Sequence, residues 1–144
     1  MRSLSHQDDI TPIAAEEYVR ANVSRFFASG HFTPEEVAGH LVVEALLSHA
    51  RCVEVRQVER WWVVRSDVDW LPPPLDDQAF RALVPFPEGG PNAARREILL
   101  GIFATDVALG GVDGPRIIKG QLDDGIHEFL VGDGDYRRSV AFRE

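Results

Sequence analysis

Apolar residues recur along the first fifty positions at the three- and four-residue spacing of helices. Thr11-Pro12 places an N-cap residue before proline at the first helical position. Ala15, Val19, Val23, Phe26 and Phe27 then share one face, and Gly30 stands where a C-terminal cap belongs. The spacing predicts a helix over 12–28 behind a disordered tail at 1–10. Thr33-Pro34-Glu35-Glu36 repeats that grammar, with Thr33 and Glu36 set as a capping box and two acids at the positive end of the helix dipole. A second helix is expected over 34–50. Val37, Leu41, Val42, Ala45 and Leu46 line its apolar face, Val43 and Leu47 widen it, and Glu36, His40, Glu44 and Ser48 form the polar stripe. So wide an apolar surface predicts a helix covered by other elements.

From Cys52 the period shortens to that of strands, through Val53, Val55 and Val58 and then Trp61-Trp62-Val63-Val64. Successive strand residues face opposite sides, so Trp61 and Trp62 cannot share one core layer. Either helices cover both faces, or one tryptophan is exposed and marks an interface, such as a homodimer through the Trp61/Trp62 face. Residues 71–92 hold Pro72, Pro73, Pro74, Pro85, Pro87 and Pro91, and predict a long structured loop with a helical turn near 77–83. Asn92 offers an N-cap for a third helix near 93–109, with Leu99, Ile102, Phe103 and Val107 inward and Gly110-Gly111 closing it. Strands near 116–121, 126–131 and 136–142 complete an antiparallel meander. The pattern as a whole predicts one α+β domain over 11–144: two N-terminal helices, about five largely antiparallel strands and the third helix.

Charge changes the picture of partners. The 144 residues carry 23 acids against 15 Lys and Arg, a formal charge of -8. That balance disfavours nucleic acid and anionic membrane and favours a basic protein partner. Lys119 is the one lysine among the basic residues, a bias that fits a GC-rich bacterial gene. Cys52 is the one cysteine, expected as a small buried hydrophobe. The first nine residues lack the apolar core of a secretion signal, and no apolar run approaches a membrane span. A cytoplasmic location is the expectation.

Candidate chemistry is sparse. No Gly-x-Ser-x-Gly, His-Glu-x-x-His or P-loop pattern occurs, and no cofactor or metal is expected. Ser66-Asp67-Val68-Asp69 is the sharpest local motif, because two acids at a strand end can hold a divalent cation against a phosphate. It resembles the Ser-Asp-x-Asp segment of the nucleotidyltransferase superfamily, although residues 48–64 hold no glycine for that family's upstream Gly-Ser pair. The resemblance implies a metal-dependent nucleotide-handling enzyme using Asp67 and Asp69. The alternative is a polar turn in which these aspartates cap the chain reversal. Arg95 and Arg96, at the expected helix start, oppose its dipole and call for an anion: a phosphate, a partner's carboxylate, or Glu88, Asp76 and Asp77. His40 and Glu44 stand four apart with His49 nearby, and read as a solvated stripe. His127 and Glu128, alternating across a strand, point apart.

The acids concentrate in the connecting segments. Asp67, Asp69, Asp76, Asp77 and Glu88 fall in 66–92, and Asp123, Asp124, Glu128, Asp133 and Asp135 in 123–135, with Arg81 the one arginine between them. Trp62 and Trp70 are the candidate aromatic anchors beside them. One small acidic domain of this kind is similar in character to immunity proteins and antitoxins, which plug the active site of a basic toxin or nuclease. Such a non-enzymatic binder, through Trp62, Asp67, Asp69, Trp70, Asp76, Asp77, Asp123, Asp124, Asp133 and Asp135, is the leading expectation. The nucleotide enzyme and a homo-oligomeric structural protein are its alternatives.

Overall fold

The computed structural model describes residues 12–111, 113–132 and 134–144; the tail predicted at 1–10, Thr11 and Asp133 lie outside them. The helix expected over 12–28 is two: α1, Pro12–Ala21, and a single turn α2, Val23–Phe26. Asn22 divides them, with a backbone outside the helical region (φ -128, ψ 35) and a side-chain amide that donates to the Tyr18 carbonyl at 2.8 Å. Asparagine is prone to this, because its side chain competes for backbone partners. Helix α3, Pro34–Leu47, starts where its proline predicts and stops before His49, which takes a left-handed φ of 76. The capping box does not form. Thr33 Oγ1 bonds Ser29 Oγ and donates to the His31 carbonyl, while Glu36 reaches past it to accept the Ala28 N–H at 3.0 Å.

Five strands form one antiparallel sheet: β1 Val53–Val58, β2 Trp61–Ser66, β3 Asp106–Gly111, β4 Arg116–Lys119 and β5 Arg138–Arg143, in the order β1-β2-β5-β3-β4. The last strand enters the middle of the sheet, so the C-terminal part is not a meander. Both faces are covered, which places each tryptophan. Trp62 and Val64 face the larger core with Val107, Leu109, Val140 and Phe142, under Phe27 and the α3 residues Val37, Leu41 and Ala45. Trp61 and Val63 face a smaller core with Ala108, Ala141, Ile126 and Leu130. Trp61 is therefore buried by its own chain, and its Nε1 donates to Asp123 at 3.2 Å. Cys52 is exposed rather than buried, because it precedes the edge strand β1, with Tyr136 Oη 3.9 Å from its sulfur.

Two segments depart from the spacing-based reading. The third helix, α5, runs only Glu97–Phe103 with Arg96 rather than Asn92 at its N-cap, and residues 106–111 are the buried strand β3. Ala104 turns extended (φ -75, ψ 152), and pairing with β5 over Asp106↔Arg143 to Gly111↔Arg138 outweighs the local helical spacing. The segment expected as a strand at 126–131 is instead a helical turn α6, Asp124–His127, continued by a 3-10 turn Glu128–Leu130. Ile126 and Leu130, four apart, thereby both reach the smaller core. Gly110 permits this approach: a Cβ there would run into the Leu130 backbone. The helical turn in the proline-rich loop is α4, Leu75–Gln78.

Helix α3 inverts part of its expected pattern. Glu44, assigned to the polar stripe, is 3% exposed, whereas Val43 and Leu46 are each 51% exposed and Leu47 39%. Gly39, Val43, Leu46 and Leu47 form one outward line, with exposed Glu35 a turn ahead of it.

Candidate functional site

The aspartates of the sequence motif serve the fold. Asp67 Oδ1 accepts the N–H groups of Arg51 (3.0 Å) and Cys52 (3.2 Å), closing the turn into β1. Asp69 accepts the Leu71 N–H at 2.9 Å and takes Arg138 in a two-point contact at 2.7 and 2.9 Å. The two carboxylates thus act on separate partners, as in the polar-turn alternative. Among the described residues, no three His, Cys, Asp or Glu gather to hold a metal ion. Asp76 pairs with Arg116 at 3.1 Å, Asp77 with Arg81 at 3.1 Å, and Asp123 with Arg143 at 2.9 Å. Asp124 and Asp135 are exposed, and Asp133 lies outside the described residues. His127 and Glu128 follow one another at the junction of the two helical turns rather than across a strand.

Trp70 is 1% exposed, so it anchors the core and not a partner. Its Nε1 donates to Glu97 Oε2 at 3.0 Å, within a buried polar cluster that also answers the question of the two arginines. Arg95 is not a surface anion site: it is 9% exposed, stacks over Phe86, and donates to the Trp70 carbonyl at 2.9 Å and to Glu44 Oε1 at 3.4 Å. Glu44 Oε2 also accepts the Arg96 N–H at 2.7 Å. The partner of both arginines is therefore the Glu44 carboxyl, rather than Glu88, Asp76 or Asp77. Glu97 is fully buried, and its Oε1 receives no fixed N–H or O–H. Burial, reinforced by the neighbouring Glu97 carboxylate and a hydrogen bond to it, pushes the Glu44 pKa up to about 10. At neutral pH the Glu44 carboxyl therefore keeps its proton.

Two open clefts share no lining residue. The first, of about 490 Å³, lies where the β1–β2 turn meets the start of α3 and is lined by Pro34, Glu35, Gln57, Glu59, Arg60, Trp62 and Glu144. Trp62 is partly buried in it, the one sequence-predicted anchor that reaches the surface. Among the described residues, Glu35, Glu59 and Glu144 form no ion pair within 4 Å. Three unmatched carboxylates thus stand around one indole with a single guanidinium, Arg60. Glu59 is held there by a tight turn at φ 57, an uncommon conformation for a residue with a Cβ. None of these acids stands out in the sequence, and positive φ at a non-glycine turn leaves no compositional mark.

The second cleft, also about 490 Å³, lies between α1, α2 and the 83–96 loop and is mostly apolar, with Arg96 at its edge. A smaller one of about 110 Å³ shares Ala94 and Arg96 with it and extends to His40, Val43 and Glu44. Burial, then the Arg96 charge, lowers the His40 pKa against the opposing pull of Glu36. A third cleft, about 300 Å³, is walled by the Asp69–Arg138 and Asp76–Arg116 pairs, which largely neutralise it.

No helix among the described residues is long and apolar enough to cross a membrane. No protein-family model, curated protein or solved structure matches this chain, which leaves its own clefts and surfaces as the guide to what it does.

Proposed function

We propose that the chain is a non-enzymatic protein-binding module of the bacterial cytoplasm, in its most concrete form an immunity or antitoxin-like inhibitor that covers a basic toxin or nuclease. The observation that carries this reading is the groove at Trp62, where Glu35, Glu59 and Glu144 have no ion partner and an aromatic face is within reach. A lysine or arginine from a partner would gain carboxylate partners and a cation–π contact there. Glu35 also leads onto the exposed line Val43, Leu46 and Leu47 of α3. Contiguous exposed aliphatics beside unpaired charge are what a protein interface covers. The net charge of -8 adds long-range attraction toward a basic partner.

The test is co-purification with the product of the adjacent gene, followed by light scattering of the mixture. A one-to-one complex, lost in Glu59→Lys combined with Leu46→Lys, is expected. No complex, or one untouched by both substitutions, would overturn the reading.

A further inference from the structure

Among the described residues Arg25, Arg51, Arg60, Arg96 and Arg137 form no ion pair with a carboxylate, and of these Arg96 alone is partly buried rather than exposed. Its guanidinium lies over the Phe26 ring at 5.4 Å and makes no hydrogen bond or ion pair with any described residue. Its polar bonds are made by the backbone: the N–H donates to Glu44, and the carbonyl accepts the Leu99 N–H at 3.0 Å. The Glu44 carboxyl takes the Arg96 backbone N–H, and its guanidinium partner among the described residues is Arg95, whose side chain donates to it. His40 adds no anion, since it is either neutral or cationic. Among the described residues no carboxylate lines the 490 Å³ cleft, and Arg96 stands at its edge as the one charged group.

The rest of the cleft is mostly apolar. Tyr18, 41% exposed, lines it with Phe26, Leu83 and Ala94; its hydroxyl accepts from Arg25 at 3.0 Å, and the Asn92 amide is a further polar group. The volume falls within the range that takes small organic ligands, with a few polar groups fixing orientation in an apolar enclosure. A guanidinium is a planar fork that matches a carboxylate at two points, and it binds best where water is partly excluded.

We propose that this cleft binds a small apolar monocarboxylic acid, its carboxylate held by Arg96 beside the Asn92 amide and its aromatic or aliphatic body against Tyr18, Phe26 and Leu83. The site shares no lining residue with the Trp62 groove and does not depend on the protein-partner reading.

The probes are 4-phenylbutyrate and its uncharged counterpart 4-phenylbutan-1-ol, titrated calorimetrically into the full chain. Saturable one-to-one binding of the acid is expected, with a dissociation constant below about 1 mM. The alcohol and the Arg96→Gln variant are each expected to bind about tenfold more weakly or worse. Arg96→Gln keeps the backbone N–H to Glu44, so the variant folds; its unfolding curve checks this. Ala94→Leu, which fills the cleft without touching the charge, is expected to remove binding as well. Absence of saturable binding up to about 10 mM acid, equal affinity for the alcohol, or unchanged binding by Arg96→Gln would each overturn the proposal.

Discussion

Replacing Glu44 by glutamine tests the buried carboxyl pair directly. Glu44 is 3% exposed and Glu97 fully buried, and burial, reinforced by Glu97, pushes the Glu44 pKa up to about 10. An unfolded glutamate releases its proton near pH 4.3. Between these values the folded chain holds one proton more than the unfolded chain. A raised carboxyl pKa therefore contributes stability that is complete below the unfolded value and is lost as pH rises through the folded value. The slope in that window reaches about 1.4 kcal/mol per pH unit, so the loss between pH 6 and 8 is about 2–3 kcal/mol. Against a usual total of about 5–15 kcal/mol that is a visible change. Glu44→Gln keeps an acceptor for the Arg96 N–H and permanently carries an N–H for Glu97. Urea unfolding of wild type and variant at pH 6 and pH 8 measures the effect, and comparing the two chains cancels every other titrating group. The variant should gain on wild type as pH rises. Parallel pH dependences in the two proteins would refute the raised Glu44 pKa.

Gly110→Ala sets a side chain against the Leu130 backbone, and should cost about 2–4 kcal/mol in chemical unfolding with loss of the smaller core's tryptophan signal from Trp61. Asp69→Asn removes the charge opposite Arg138, a residue 9% exposed, and should destabilise by about 2–3 kcal/mol. Because that carboxylate serves Arg138, the loss should be the same with and without added Mg²⁺ in thermal melts. Leu46→Lys should change stability by no more than about 0.5 kcal/mol, whereas Leu41→Ala, fully buried on the same helix, should cost about 2–5 kcal/mol.

Local grammar was legible in the chain wherever neighbours in sequence decide the structure. Thr33-Pro34-Glu35-Glu36 marks the start of α3, and the run from Val53 to Ser66 marks a hairpin of two strands. The α+β class with a five-stranded antiparallel sheet follows from such signals. Where distant residues decide, spacing misleads. Val107 and Leu109 extend the apolar period of α5, yet their backbone pairs with β5 from the far end of the chain. Glu44 falls on a polar stripe by periodicity, and is buried because Arg95 and Arg96 supply its partners from 51 and 52 residues away. Burying it rotates α3 so that Val43, Leu46 and Leu47 face outward. The aspartates singled out for chemistry mostly neutralise arginines, Asp69 to Arg138 and Asp76 to Arg116 among them, because paired carboxylates and free ones look alike in composition. Trp62 alone of the predicted anchors opens to a groove, and the acids around it come from a helix start, a hairpin turn and the final strand's end.

The central claim is that the acidic groove at Trp62 receives a basic protein. Calorimetric titration of the adjacent gene's product with wild type and with the triple variant Glu35→Gln, Glu59→Gln, Glu144→Gln tests it most directly. The predicted result is a one-to-one complex with a dissociation constant below about 1 µM, weakened about tenfold or more by the triple variant and further by added salt. A complex of equal strength in both proteins, or no complex at all, would contradict it.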